Sequence, residues 1–521
     1  LPCWRGLSHA HPSWEDDPWT ALLQEVVASR PGLVLATEQM NCVARLLGTF
    51  QLANGGQPTQ GLRDFVAGRC GSVSVRLGIR TLRGDVPSTQ DAAKVFDAWR
   101  DQLREAMTED LGAGPRTMGV WFGRQDNTAL VTLVSAERRV HLEPLEPTPD
   151  ANGNLVLKGQ LLVDSASIQA LANQGPFGYA WCAPNPQVKL PQFELSCPLN
   201  SDDPTAWIEL VAFPPGRILG ETALKVLAFP SKEPVDTYQR PVYSSLEAPN
   251  QGSVRAALAA TLNSIRSKAG LGALVLEAEQ SNTADELAPY YFSALLGQAP
   301  ETVADRVVLG LKAGWDIRGS IVREGYFTSA FSVQRDSGGT AASTDLLAAA
   351  MERPMSRVAL LDPEVKRLAI GMVQTQEPNA TGVLLATYAL FDEGNLANEQ
   401  AQVLRRLTRL RTDAGRAAPR VLTPIQDEAQ ATARRVERGE VKPEEALNAL
   451  MESAAGKLRG QGGRMAGWIS QSYDLDQLPY PPDLLRLPEV DVYMAVAHIR
   501  PANEPWGRYM VFMVARIPSS I

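Results

Sequence analysis

The stretch from Met355 to Phe391, MSRVALLDPEVKRLAIGMVQTQEPNATGVLLATYALF, constrains the fold more than any other. Arg357, Leu360 and Leu361 sit in a short helical or turn segment closed by Asp362-Pro363. Arg367 to Gln374 then alternates, which puts Leu368, Ile370, Met372 and Gln374 on one face and Ala369, Gly371 and Val373 on the other. A polar turn with Pro378, Asn379 and Gly382 leads to a second apolar run, Val383 to Phe391. Two β-rich runs across such a turn predict an antiparallel hairpin. The second run is apolar on both faces, so it is expected as a central strand covered on both sides. This speaks to architecture and hardly at all to chemistry.

Helical spacing surrounds the hairpin. Trp19 to Arg30 buries Leu22, Leu23, Val26 and Val27 on one side and stops at Pro31-Gly32. Thr37 to Thr49 and Asp91 to Met107 read as helices, and Met118 to Gly123 and Ala129 to Ser135 as strands about Gln125-Asp126-Asn127. From Arg138 to Pro234 the helical period fades. Short runs (Val140 to Leu142, Leu155 to Leu157, Gln160 to Val163, Phe193 to Ser196, Trp207 to Phe213, Ala223 to Leu227) alternate with turn residues, which predicts a β-sandwich or barrel. Val254 to Lys268, Glu279 to Leu296, Asn398 to Arg411, Thr423 to Val436 and Pro443 to Leu458 are helical again. In the third of these Val403, Leu404, Leu407 and Leu410 face in, while Arg405, Arg406, Arg409 and Arg411 are expected to face out. The chain closes on strands at Val490 to Ile499 and Tyr509 to Ile517 about a turn through Pro501 to Gly507.

The order helix, Gly-stopped turn, helix, variable middle, Leu-rich turn, hairpin occurs twice in the C-terminal half. LNSIRSKAGLGAL at Leu262 matches LRRLTRLRTDAGRAAPRV at Leu404, and SRVALLDPEVKRLAIGMV at Ser356 matches PPDLLRLPEVDVYMAVAHI at Pro481. SRPGLVLATEQMNCVARLL followed by RTMGVWFG near the N-terminus is a shorter form. Self-similarity at roughly 115 to 145 residues implies three units of one kind. The expected layout is an arm (1–18), a first degenerate unit (19–137), the β-sandwich (138–237), a linker (238–251), a second unit (252–394) and a third, degenerate unit (395–521).

The second unit resembles the CAP superfamily (cysteine-rich secretory proteins, antigen 5 and pathogenesis-related proteins) in its bacterial SCP-like branch. The resemblance is carried by Asn263, Arg266, Gly270-Leu271, Leu274-Val275-Leu276, Ala284, Arg357 to Pro363 and Ala369-Ile370-Gly371-Met372. It covers about Gly252 to Glu393, with echoes toward both ends. It implies tandem α-β-α sandwiches, each with a mostly antiparallel sheet between helical layers; with the all-β sandwich read from strand spacing, the expected class is α+β. It also implies an extracytoplasmic home. Many members hold two His and two acidic residues in a cleft, sometimes with a divalent metal. Where the family's helical His would fall, near Leu287 and Ala288, this chain is apolar. Its four histidines, His9, His11, His141 and His498, all lie outside that unit. No metal, cofactor or catalytic set is therefore expected, and Glu279 and Glu286 remain as candidate cleft acids.

The cysteines point to the same compartment. Cys42 and Cys70 bracket a helix-loop-helix pattern, Cys182 and Cys197 flank a strand, and no CxxC occurs, so both pairs are read as disulfides of an oxidising environment. Cys3 is left over, as an unpaired thiol or a lipid attachment site, with Pro2 a poor neighbour for lipoprotein cleavage. No basic and apolar leader stands before it, though one removed earlier would leave the same start. A net charge of -8 argues against nucleic acid. No apolar run reaches the roughly 20 residues of a membrane span.

Other catalytic signals are poor. Asp336-Ser337-Gly338-Gly339 resembles a serine-protease nucleophile loop, but Arg335 precedes it and no matching His exists. There is no GxSxG, P-loop or GxGxxG. His498 falls on the inward face of a strand, as a core His. The Arg405 to Arg411 face could meet an anion, though solvated helices look the same. The expected function is thus a non-enzymatic, secreted or cell-surface scaffold that binds a protein or cell-envelope component, with a homo-oligomer or larger assembly open to it. The alternatives are a hydrolase working with carboxylates in a CAP cleft and a lipid or sterol carrier with an apolar groove near Tyr290 to Leu296.

Overall fold

The computed structural model describes residues 17–87, 89–112, 114–217, 219–231, 233–239, 254–314, 317–328, 346–348, 350–374, 381–390, 397–421, 426–457, 464–472, 475, 478–499 and 508–517. Cys3, His9, His11, the Asp336 to Gly339 loop, most of the arm and nearly all of the linker lie outside the described residues. The chain is α+β and divides into two compact units, Leu1–Leu271 with Gln334–Leu361, and Gly272–Val333 with Asp362–Ile521.

The first unit opens with α1 (Pro18–Ala28), β1 (Val34–Ala36), α2 (Glu38–Asn54), α3 (Gln60–Arg69), β2 (Val75–Asp85), α4 (Ala92–Glu109), β3 (Arg116–Gln125) and β4 (Thr128–Glu137). Local chemistry marks the helix starts. Pro18 sits in the first turn of α1, and the side chains of Thr37, Thr59 and Asp91 accept backbone N–H groups at the starts of α2, α3 and α4. The sheet runs β1-β3-β4-β2, with β1 parallel to β3 and the other pairs antiparallel. Trp19, Leu23, Leu103 and Met107 of α1 and α4 pack with Met118, Val120, Val131 and Leu133 on one face; Met40, Val43, Leu47 and Val66 of α2 and α3 pack with Val134 and Ala136. Cys42 and Cys70 are joined 28 residues apart, a closure that stabilises on the order of 3 kcal/mol.

A sandwich follows: β5 (Val140–Leu142), β6 (Asn154–Leu161), β7 (Ser167–Gln174), β8 (Gly178–Trp181), β9 (Ala183–Pro184), β10 (Gln192–Pro198), β11 (Ala206–Phe213) and β12 (Glu221–Ala228). Its sheets, β5-β6-β10-β9 and β12-β11-β7-β8, enclose Leu155, Leu157, Phe193, Leu195, Ile208, Leu210, Leu224 and Val226. Cys182 bonds Cys197 of β10. Two separate runs expected at Leu155 to Leu157 and Gln160 to Val163 are one strand, β6, because Gly159 continues the ladder opposite Phe193. The strands β2, β7 and β8 escaped the sequence reading. Arg76, Arg80 and Arg83 make β2 look like a loop, yet its register with β4 is regular from Gly78 to Asp85. The unit also holds α5 (Val254–Lys268) and, beyond several elements of the second unit, Pro354–Leu360.

The second unit contains β13 (Val275–Leu276), α6 (Ala278–Leu295), α7 (Thr302–Gly314) and β14 (Ile317–Thr328). After α8, the Pro354–Leu360 helix just placed in the first unit, come β15 (Arg367–Gln374), β16 (Thr381–Leu390), α9 (Ala397–Asp413), β17 (Arg420–Val421), α10 (Gln426–Glu437), α11 (Pro443–Lys457), β18 (Arg464–Ser472), α12 (Pro482–Arg486), β19 (Asp491–Ile499) and β20 (Arg508–Ile517). Its sheets run β13-β15-β16-β14 and β17-β19-β20-β18. The expected hairpin is present: β15 and β16 are antiparallel in unbroken register from Arg367/Tyr388 to Gln374/Thr381. β16 lies between β15 and β14, and its residues Val383 to Ala389 are buried. In the last sheet Val492, Met494 and Val496 meet α9 and α12, while Tyr493, Ala495 and Ala497 meet α10 and α11.

All three α/β sheets therefore share one strand order and one set of directions, first strand parallel to third, third and second each antiparallel to fourth. A finer correspondence accompanies it. Asn41 of α2 accepts the Val120 N–H at 3.0 Å, Asp285 of α6 accepts the Met372 N–H at 2.8 Å, and Gln430 of α10 accepts the Val496 N–H at 3.4 Å. The strand residue just before each is Gly119, Gly371 and Ala495. A Cβ at Gly119 would stand 2.2 Å from the Met40 carbonyl carbon, and one at Gly371 would stand 2.4 Å from the Ala284 carbonyl oxygen. Backbone meets backbone there, so nothing flexible can give way. Gly371→Ala is expected to cost about 3 kcal/mol, at the upper end for overpacking, read as a lower urea midpoint of the second unit. An unchanged midpoint would show that α6 shifts freely.

A further sequence expectation is corrected. Arg411 does not face out: it is 0% exposed, and its guanidinium donates to the carbonyls of Ala417, Leu484, Leu487 and Pro488. Helical spacing placed it beside Arg405 and Arg409, which are exposed. What differs is the turn beyond α9: Arg411 stands four residues before Gly415, at the helix end where unpaired carbonyls gather. Arg266, four residues before Gly270, is likewise 1% exposed and donates to Leu360 O at 2.8 Å.

Candidate functional site

The structure does not gather the candidate acids into a site. Glu279 and Glu286 are exposed on α6, two helical turns apart on one outward face. The opposite face of α6 carries Ala284 and Ala288, both 0% exposed, and Phe292, whose ring lies where a Gly382 side chain would project. The polar groups of α6 that reach the sheet serve its backbone. Ser281 Oγ accepts the Ile370 N–H at 3.1 Å, and Asp285 accepts that of Met372. In the stretch Tyr290 to Leu296, Tyr291 packs edge-on to Phe292, while Tyr290 is exposed. His141 is exposed, and His498 is buried in β19 with its backbone N–H on Glu437. Among the described residues no three His, Cys, Asp or Glu side chains group to hold a metal ion, and no helix is long and apolar enough to cross a membrane.

A sheltered cluster of charged groups lies elsewhere, on the outer face of β11 and β12 in the first unit. In β11 the residues Ala206, Ile208, Leu210 and Ala212 enter the sandwich core, so Trp207, Glu209 and Val211 point the other way. Glu209 stands directly opposite Lys225 of β12. The helix α3 packs over the same face, where Phe65 joins Trp207, Leu227 and Phe229. Residues around Glu352 and α8 supply the remaining groups.

Glu209 is wholly buried. It accepts the Thr222 hydroxyl at 2.7 Å, Arg353 Nη2 at 3.2 Å and the Met355 N–H at 3.2 Å. Burial opposes its charge, but Arg353, Lys225, Thr222 and the Met355 N–H together hold the carboxyl below the usual range. Lys225 Nζ lies 2.6 Å from Asp64 Oδ2 and 5.0 Å from the Trp207 ring centre. Arg357 donates to the carbonyls of Met351, Gly175 and Gly178 and so clasps the β7–β8 hairpin. Asn173 of β7 donates to Glu352 O at 2.9 Å.

Glu352 is the outlier. Its residue surface is partly open, yet Oε2 is fully sheltered and meets no hydrogen-bond partner among the described residues. Burial, and then the neighbouring Asp64 carboxylate, push its carboxyl up to about 7 against the pull of Tyr238, Lys225 and Arg357. A raised carboxyl beside a second acid is the kind of pair that hydrolases use. Here Lys225 and Arg353 are committed to carboxylates and Arg357 to main chain, which ties residues 351 to 357 to the sandwich like a clip. Sequence reasoning passed over all of it. One signal was available: Glu209 interrupts the apolar run WIELVAF on a strand buried on both faces.

No protein-family model matches the chain, and no curated protein matches it. A solved structure, the crystal structure of Na-ASP-1, is similar over 74% of this chain and 91% of that one, at 9% identity and a TM-score of 0.20. At that score the likeness carries no argument.

Proposed function

We propose that this chain is a non-enzymatic binding protein of an extracytoplasmic compartment, built from three copies of a CAP-like module with a β-sandwich after the first. The observation that carries it is the inner face of α6. Where a reactive cleft would need converging polar groups, Ala284, Ala288 and Phe292 close the space, and Glu279 and Glu286 look to solvent. The shared strand order and the Asn41, Asp285 and Gln430 bridges support one module used three times. Two disulfides support an oxidising environment. Broad scaffolds with decorated loops suit binding to a partner protein or an envelope component.

The test pairs two measurements on the full chain. Pull-down from cell-envelope fractions of the source cell is expected to retain specific material at physiological salt. Turnover of ester, peptide and glycoside model substrates is expected to be absent in the wild type and in Glu279→Gln/Glu286→Gln alike. Hydrolysis by the wild type that the double variant loses would replace this reading with the carboxylate hydrolase. Saturable uptake of a fluorescent sterol would replace it with the carrier.

A further inference from the structure

Three cations and three carboxylates meet outside β11 and β12, and the cations are unevenly shared. Lys225 serves Asp64, Arg353 serves Glu209, and Arg357 is taken up by three carbonyls. Glu352 has the Tyr238 hydroxyl beside it and feels the charges of Lys225 and Arg357, both engaged elsewhere, with Oε2 sheltered. Gly61 of α3 closes over the pair: a Cβ there would come 2.7 Å from Oε2 and 2.2 Å from the Tyr238 hydroxyl. We propose that Glu352 is a proton-operated latch, which when protonated holds residues 350–360 on the sandwich and when ionised lets them loosen.

The groups facing Glu352 fix the sign. Asp64 from α3 repels its charged form, while Tyr238, Lys225 from β12 and Arg357 from α8 attract it; Glu209 and Arg353 are bound to each other next to it. Burial outweighs the attractions and sets the carboxyl at about 7, against 4.5 unperturbed. The docked state therefore binds the proton more tightly than the undocked one. Docking weakens as pH rises from 4.5 to about 7, and the loss is complete above that. The latch is closed in acid and loose in neutral to alkaline medium.

Hydrogen exchange on the full chain at pH 5.5 and 8.5, corrected for intrinsic rates, tests this. Amides in residues 350–360 are expected to lose protection about 30-fold at the higher pH, with those of β19 and β20 unchanged. Glu352→Gln is expected to protect the segment equally at both. Asp64→Asn removes the repelling charge and frees Lys225, so the transition should move to lower pH. Equal wild-type protection at the two pH values overturns the latch even if neither variant folds. So does a pH dependence that survives Glu352→Gln, or a transition that Asp64→Asn leaves in place.

Discussion

Replacing Arg353 with Met should destabilise the first unit by about 3 kcal/mol, because it strands a buried carboxylate. Glu209 has no solvent access and relies on Arg353 as the strongest of the attractions that keep it charged. Breaking a buried pair from one side typically costs 3–5 kcal/mol. The lower figure applies here because the Arg353 side chain is 28% exposed and Thr222, Lys225 and the Met355 N–H remain. Hydrogen exchange of the β11 amides should accelerate about 100-fold. Adding Glu209→Gln should restore most of the loss, since the amide needs no counter-charge. If the double variant is no better than Arg353→Met alone, the damage lies in packing and the charge argument fails.

A comparable loss is expected from Arg411→Met in the second unit. The substitution keeps the length of the stem but removes every donor, and the carbonyls of Ala417, Leu484, Leu487 and Pro488 lose their partner. A buried carbonyl left unpaired costs about 1–3 kcal/mol, and several of these will reach water as the turn relaxes, so roughly 3–4 kcal/mol is the expected total. Arg411→Lys should recover little, because one ammonium cannot reproduce the planar fork. Arg405→Met and Arg409→Met, on the exposed face of the same helix, should each change stability by less than about 0.5 kcal/mol. Urea midpoints of the second unit for the four variants would decide it. Similar values for Arg411→Met and Arg409→Met would refute the buried role.

The fold was largely legible. The β15–β16 hairpin, the inward Val403 and Leu407 of α9 and the strand β11 all follow from local spacing, and the structure places them so. The helix α7 and the strands β14 and β18 fell in stretches left unassigned, and β2, β7 and β8 were not legible either. Their side chains are mixed in polarity because neighbouring elements and solvent share their faces, and a period-two reading needs one face dry. The polar clip around Glu209 was nearly invisible. Its members come from residues 64, 173, 209, 222, 225, 238 and 352 to 357, and only the packing of α3 and α8 on one strand pair brings them together.

Residue order alone determined where the chain turns, which stripe of each helix is apolar and which strand is covered on both sides, because those depend on neighbours a few positions away. It could not separate Arg411 from Arg409, or show that Glu352 would be left holding a proton. Those outcomes rest on carbonyls and charges more than seventy positions away, such as Leu484 for Arg411 and Asp64 for Glu352. Burying a charge is decided by whether such distant partners arrive, and only the tertiary structure says whether they do.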